Sequence, residues 1–145
     1  MTDGAAHARI IIALATKTGL TNLVDDKVRY QLYKLTIEEI FDILAGSPDG
    51  RVDLGELTLD DIRDYKDALA EIRTGFYDFY KRGKIKGRGL EPPIVQPMID
   101  RASTKLTMAA KFKRRGDEEG CLTKLSEGCL ELFNLVEHLK AVRLE

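Results

Sequence analysis

A compact all-α bundle of five or six helices is the fold that this 145-residue chain predicts, and three observations carry the prediction. Apolar residues recur every three or four positions over most of the length, the period of a helix with one buried face. Glycines stand where the periodic runs stop, as helix C-termini favour. Nowhere do apolar and polar residues alternate for long enough to build a sheet.

The first helix is expected over Ala5–Lys17, with Gly19 as its stop, and the second begins near Asn22 and carries Leu23, Val24, Val28 and Leu32. Thr36 followed by Glu39 reads as a capping box. It opens a short helix with Ile37, Ile40, Phe41 and Leu44 inward, ended by Gly46. A second capping box, Thr58 with Asp61 in place of the usual Glu, opens the longest helix. Its apolar positions Ile62, Tyr65, Leu69, Ile72, Phe76 and Phe79 run to a stop at Gly83, and Tyr80 is expected to anchor with the last of them. The prolines of "EPP" then start a helix carrying Val95, Met98, Ile99, Ala102, Leu106, Ala109 and Phe112, stopped by Gly116. The final helix, from about Asp117 to Val142, aligns Leu122, Leu125, Cys129, Leu132, Val136 and Leu139, with Gly120 and Gly128 weakening its first half.

The length suits one domain, residues 1–145, and 43% hydrophobic residues with only four prolines place it among ordered globular chains. No apolar run is long enough to span a bilayer. The N-terminal "HARIIIALA" has an apolar centre but lacks the basic start of a secretory signal, so no membrane partner and a cytoplasmic location are expected. Cys121 and Cys129 lie eight residues apart on one helix, about 12 Å in rise, beyond disulfide reach. They read as core thiols, without a CxxC or Cys/His cluster to hold a metal. His7 and His138 are isolated. With no nucleophile beside a base and no Walker-type loop, the sequence predicts no catalytic residue, no cofactor and no enzyme.

Charge is banded along the chain. Residues 35–80 hold four Lys and Arg against twelve Asp and Glu, whereas residues 81–115 hold eleven against two. Residues 1–34 are mildly basic and 116–145 mildly acidic. Banding of this size fits an oriented anionic partner, although the segments also neutralise one another if the fold brings them together. Within the basic band the stretch "FYDFYKRGKIKGRG" supplies Lys81, Arg82, Lys84, Lys86 and Arg88, spaced by glycines that let a phosphate approach the backbone. On the following helix Arg101, Lys105 and Arg115 share one arc nearly opposite the stripe of Met98, Ala102, Leu106 and Ala109, with Lys111 beside it. A loop feeding a basic helical face suits a sugar-phosphate chain, and a solvated flexible loop is the plainer alternative.

Two other features compete for function. In "SPDGRVDLGEL", Ser47–Leu57, the residues Asp49, Gly50, Asp53 and Glu56 fall where a calcium loop starting at Ala45 would need them, but Ala45 and Ser47 occupy its first ligand positions. A turn followed by a helix start explains the same residues. The long helix also presents Asp60, Asp61, Asp64, Asp67, Glu71 and Asp78, and the interleaved Arg63, Lys66 and Arg73 favour a solvated face over a metal or acid–base site.

The order "LTIEEIFDIL", a variable loop, "LTLDDIRDYKDALAEIRTGFYDFYKRGK", "PPIVQPMIDRA" and a closing amphipathic helix resembles the small helical subunit of type III, Csm-type, CRISPR effector complexes. The resemblance covers roughly residues 35–142. A Gly-Arg step of that family is replaced here by Arg82-Gly83, the helices before Leu35 are additional, and "KFKRRGDEEG" lengthens the last hairpin. The resemblance implies a non-enzymatic bundle that stacks with copies of itself beside the backbone and large subunits and contacts guide RNA and target RNA. By position it carries Lys81, Arg82, Lys84, Arg101 and Lys105 over as RNA contacts. The alternatives are a nucleic-acid-associated accessory protein unrelated to CRISPR and a degenerate EF-hand-like adaptor.

Overall fold

Four helices and one short β pairing make up the described part of the chain, residues 26–46, 57–83, 85–86 and 89–144 of the computed structural model. The helices are α1 (Asp26–Ala45), α2 (Leu59–Lys81), α3 (Pro92–Arg114) and α4 (Glu118–Leu139). The strands β1 (Ile85–Lys86) and β2 (Arg143–Leu144) pair antiparallel, Ile85 opposite Leu144 and Lys86 opposite Arg143. α1 and α3 each pack against both α2 and α4 around a single core, so the chain forms the helical bundle that its periodicity predicts.

Among the described residues there are four helices where the sequence reading places five. The helix expected over Ala5–Lys17 lies outside the described residues. The two expected to meet before Thr36 are one continuous helix, α1. Thr36 is buried, and its hydroxyl donates back one turn to the Leu32 carbonyl at 2.7 Å, so the T-x-x-E pattern sits in mid-helix and caps nothing. Tyr30, Tyr33, Ile37, Ile40 and Leu44 form one unbroken buried stripe, which a chain break at Thr36 would interrupt. The β1–β2 pair also departs from the sequence expectation; two residues per strand are too few to leave a periodic signal.

α2 starts as the sequence indicates. Thr58 Oγ1 accepts from the Asp61 amide at 3.0 Å and Asp61 Oδ2 accepts from the Thr58 amide at 2.9 Å, a complete capping box of the kind that contributes about 1 kcal/mol. That role buries Asp61, which therefore leaves the acidic outer face on which the sequence placed it. Phe76 and Phe79 are fully buried and meet Tyr30 and Tyr33 at ring-centroid distances of 5.8–6.0 Å. Tyr80 is 42% exposed and is not a core anchor, because its position on α2 points away from that aromatic cluster. The Tyr33 ring lies directly over Gly75 of α2, so close that a Cβ at this position would collide with it.

Helix ends fall at Gly46, Gly83 and Gly116, all with positive φ (88°, 70° and 76°), a conformation that other residues adopt at a cost. Pro92 and Pro93 occupy the first turn of α3, and Asp117 caps α4 by accepting from the Gly120 amide at 2.9 Å. The fully buried edge of α4 is Cys121, Leu125, Gly128, Leu132, Leu135 and Leu139. Leu122, Cys129 and Val136, expected on that edge, are half-buried beside it, and the Cys129 thiol lies 3.8 Å from the Phe41 carbonyl of α1. No helix among the described residues is long and apolar enough to cross a membrane.

Candidate nucleic-acid interface

The short connection from α2 to α3 and the Arg73–Asp100 bridge between them (2.9 Å) set the two helices antiparallel, with Gln96 also accepting from Arg73 at 3.2 Å. The C-terminal end of α2 therefore stands beside the start of α3, and the end of α3 stands at the opposite pole. From Glu91 to Lys111 the rise is about 30 Å. The cations that the sequence groups together are thus spread along the length of the bundle rather than gathered in one patch.

At the first pole, Lys81 is exposed and Arg82 is not a free cation. Its guanidinium forks onto Asp26 of α1 at 2.9 and 3.0 Å and onto Asp78 at 2.8 and 3.0 Å, while Arg29 reaches the same Asp78 oxygen at 2.8 Å. These bonds push the Arg82 pKa up, first through Asp26 and then through Asp78, and hold the Asp78 carboxyl below its ordinary value, chiefly through Arg82. The cluster ties the start of α1 to the end of α2. Lys84 and Arg88 lie outside the described residues. Lys86 contributes its backbone to β1.

Midway along α3, the Arg101 Nε donates to Glu131 Oε2 at 2.6 Å and Lys105 Nζ lies 2.9 Å from Glu127 Oε1. Lys124 Nζ shares that Glu127 oxygen at 3.0 Å. Lys105 and Lys124 together hold the Glu127 carboxyl below its ordinary value. The pairing follows from helix register: Glu127 and Glu131 are one turn apart on α4, as Lys105 and Arg101 are on α3, and the antiparallel hairpin matches them in reverse order. Gly128 permits the approach, since a Cβ there would sit only 3.3 Å from the Lys105 Cβ. The arc that the sequence sets opposite the apolar stripe is therefore a seam with α4, open on its other side to a shallow groove lined by Pro97, Asp100, Arg101, Thr104 and Lys105. Arg101 keeps 54% of its side chain exposed and Lys105 31%.

At the far pole Lys111, Arg114 and Arg115 are exposed, and the Arg115 guanidinium rests 6.0 Å from the Phe112 ring centroid. Three cations at the C-terminal end of a helix also complement its dipole. Arg114 is absent from the residues singled out in the sequence, as are Lys124 and the carboxylates that engage the basic face. The i, i+4 spacing of Glu127 and Glu131 across from a basic helix is the signal that identifies them.

The bundle has a second unusual surface. On α2 the exposed large apolar residues are Tyr77 and Tyr80, whereas α4 points Leu130 (60% exposed) and Phe133 (44%) outward, and α1 exposes Val28 and Leu35. Phe133 meets Phe41 at 5.9 Å. Among the described residues no group of three or more His, Cys, Asp and Glu is placed to hold a metal ion. Burial pushes both thiols, Cys121 and Cys129, above the ordinary cysteine value. Comparison with protein-family models, curated proteins and solved structures finds no significant match to this chain.

Proposed function

We propose that this chain is a non-catalytic, RNA-binding structural subunit of a type III CRISPR effector complex, working in the cytoplasm. The observation that carries the reading is the lengthwise run of cations on α3, from Arg101 through Lys105 and Lys111 to Arg115, about 21 Å in rise. A run of this length gives a polyanion a face to lie along, whereas α2 mixes Asp60 and Asp67 with Arg63. Guide RNA and target RNA are the partners that the sequence resemblance supplies for that face. The apolar residues Leu130, Phe133, Val28 and Leu35 provide area for contacts with copies of the chain and with the backbone and large subunits.

In this reading Lys111, Arg115 and the exposed side of Arg101 and Lys105 contact phosphates directly, Lys81 adds a cation at the other pole, and Lys84, Lys86 and Arg88 remain candidates from the sequence alone. Arg82 serves there as a clamp between helices as well. The test replaces Arg101 and Lys105 together by Gln, because Glu would place like charges against Glu127 and Glu131. Circular dichroism should stay unchanged, while affinity for single-stranded RNA falls and the log-log salt slope shrinks by about 1.4, or about 0.7 for each phosphate no longer neutralised. Unaltered affinity with intact helicity would refute the α3 face as the RNA site.

A further inference from the structure

We propose that Glu127 and Glu131 set the strength of RNA binding on α3 by engaging Lys105 and Arg101, so that a phosphodiester chain competes with two carboxylates for the same cations. The inference rests on the reading of α3 as the RNA face. Arg101 and Lys105 are the two central cations of that face, and each already has a carboxylate at hydrogen-bond distance, 2.6 and 2.9 Å. Neither carboxylate belongs to α3; both come from the neighbouring helix and reach across the seam.

The balance of charge at the seam explains why an anion is still attracted. Arg101, Lys105 and Lys124 face two carboxylates, which leaves one positive charge in excess. Lys105 and Lys124 hold the Glu127 carboxyl below its ordinary value, so at neutral pH it competes as a carboxylate. Displacement is feasible because the pairs lie at the bundle surface, with Arg101 54% and Glu127 39% exposed, where ion pairs contribute little to stability. A phosphate approaching Arg101 from the groove side, past Thr104 and Pro97, meets the exposed half of the guanidinium and has no need to break the fold.

The carboxylates thereby act as affinity-setting residues. They weaken the grip on any lone or transient anion, which must lose the contest with a tethered carboxylate. A continuous strand that also engages Lys111 and Arg115 brings several phosphates at once and displaces them through effective concentration. The pairing also spares the isolated protein an uncompensated basic stripe, which binds nucleic acid without selection.

The experiment measures binding of fluorescein-labelled polyuridylate to the full chain by anisotropy at low and moderate salt. Glu127→Gln and Glu131→Gln should each tighten binding about three- to tenfold at low salt, an effect that shrinks as salt is added. Asp67→Asn on the exposed face of α2 adds the same unit of charge on a helix outside the seam and should change affinity far less. The decisive arm is Glu131→Gln in the Arg101→Gln background, where the gain should largely vanish because no cation remains to be released. A gain that persists there, or an equal gain from Asp67→Asn, would reduce the effect to net charge and overturn the proposal. If Arg101→Gln/Lys105→Gln weakens binding while Glu127→Gln/Glu131→Gln does not strengthen it, the competition is refuted and the RNA face stands. If the first pair leaves affinity unchanged, the RNA face itself falls. Absence of binding by both the wild type and the Glu127→Gln/Glu131→Gln variant overturns both.

Discussion

Replacing Gly75 by Ala sets two helix effects of opposite sign against each other. On propensity alone, Ala in the middle of α2 should stabilise by about 1 kcal/mol. The structure opposes this, because the new methyl would lie 2.5 and 2.6 Å from the hydroxyl oxygen and Cζ of Tyr33 and closer still to Cε2. Carbon atoms pack best at about 3.5–4.0 Å, so the ring would have to retreat by about 1 Å. It has nowhere to go: Tyr33 is 4% exposed and is bounded by Phe76 and Phe79, with ring centroids at 5.9 and 6.0 Å. Overpacking of a tight core costs about 1–3 kcal/mol, and a clash with three atoms of one rigid ring belongs at the upper end. The net expectation is a loss of about 2 kcal/mol, or a melting temperature lower by about 4–8 °C. Urea denaturation followed by circular dichroism measures it. The double variant Tyr33→Leu/Gly75→Ala supplies the internal control: with the ring gone, Gly75→Ala should be neutral or stabilising relative to Tyr33→Leu alone. A stabilising Gly75→Ala in the wild-type background would show that the Tyr33 ring does not pack over this glycine.

Two further outcomes follow from the titrating groups. Asp78 ionises at lower pH in the folded protein than in the unfolded chain, because Arg82 and then Arg29 hydrogen-bond its carboxylate, so the folded state binds fewer protons. Its contribution is present above the ordinary aspartate value of 3.8 and disappears as pH falls through the folded value; Asp78→Asn should flatten stability against pH in that acid window and leave the neutral slope unchanged. Cys121 and Cys129, both shifted upward by burial, should react slowly with a disulfide reagent at neutral pH in the native protein and rapidly in denaturant; fast native labelling of Cys121 would contradict its place in the core.

Much of this architecture is legible in the residues themselves. The Thr58/Asp61 box, the "EPP" start and the stops at Gly46, Gly83 and Gly116 depend on neighbours within one turn, and short-range chemistry decides them. Thr36 shows where that logic ends: the same four-residue pattern lies inside a helix because the buried stripe from Tyr30 to Leu44 runs through it, and tertiary packing outweighs a local cap. The candidate site is legible as composition but not as geometry. Periodicity puts Arg101 and Lys105 off the apolar stripe, yet whether that side faces water or Glu127 and Glu131 depends on the rotation of α4 about its axis. The clamp at Arg82 is unreadable for the same reason, since Asp26 lies 56 residues away in the chain.

The β1–β2 pairing gives Ile85 and Lys86 a partner that opens and closes with them. Ile85 and Lys86 pair with Leu144 and Arg143, and just beyond them the His138 ring donates to the Gly89 carbonyl at 2.8 Å, while Val142 fills the space that a side chain on Gly89 would need. The two segments are joined in a single local opening equilibrium, so amide exchange at Ile85 and at Leu144 should proceed at one common rate. Shortening the chain before Arg143 would remove the partner of Ile85 and Lys86, and their amides should then exchange faster.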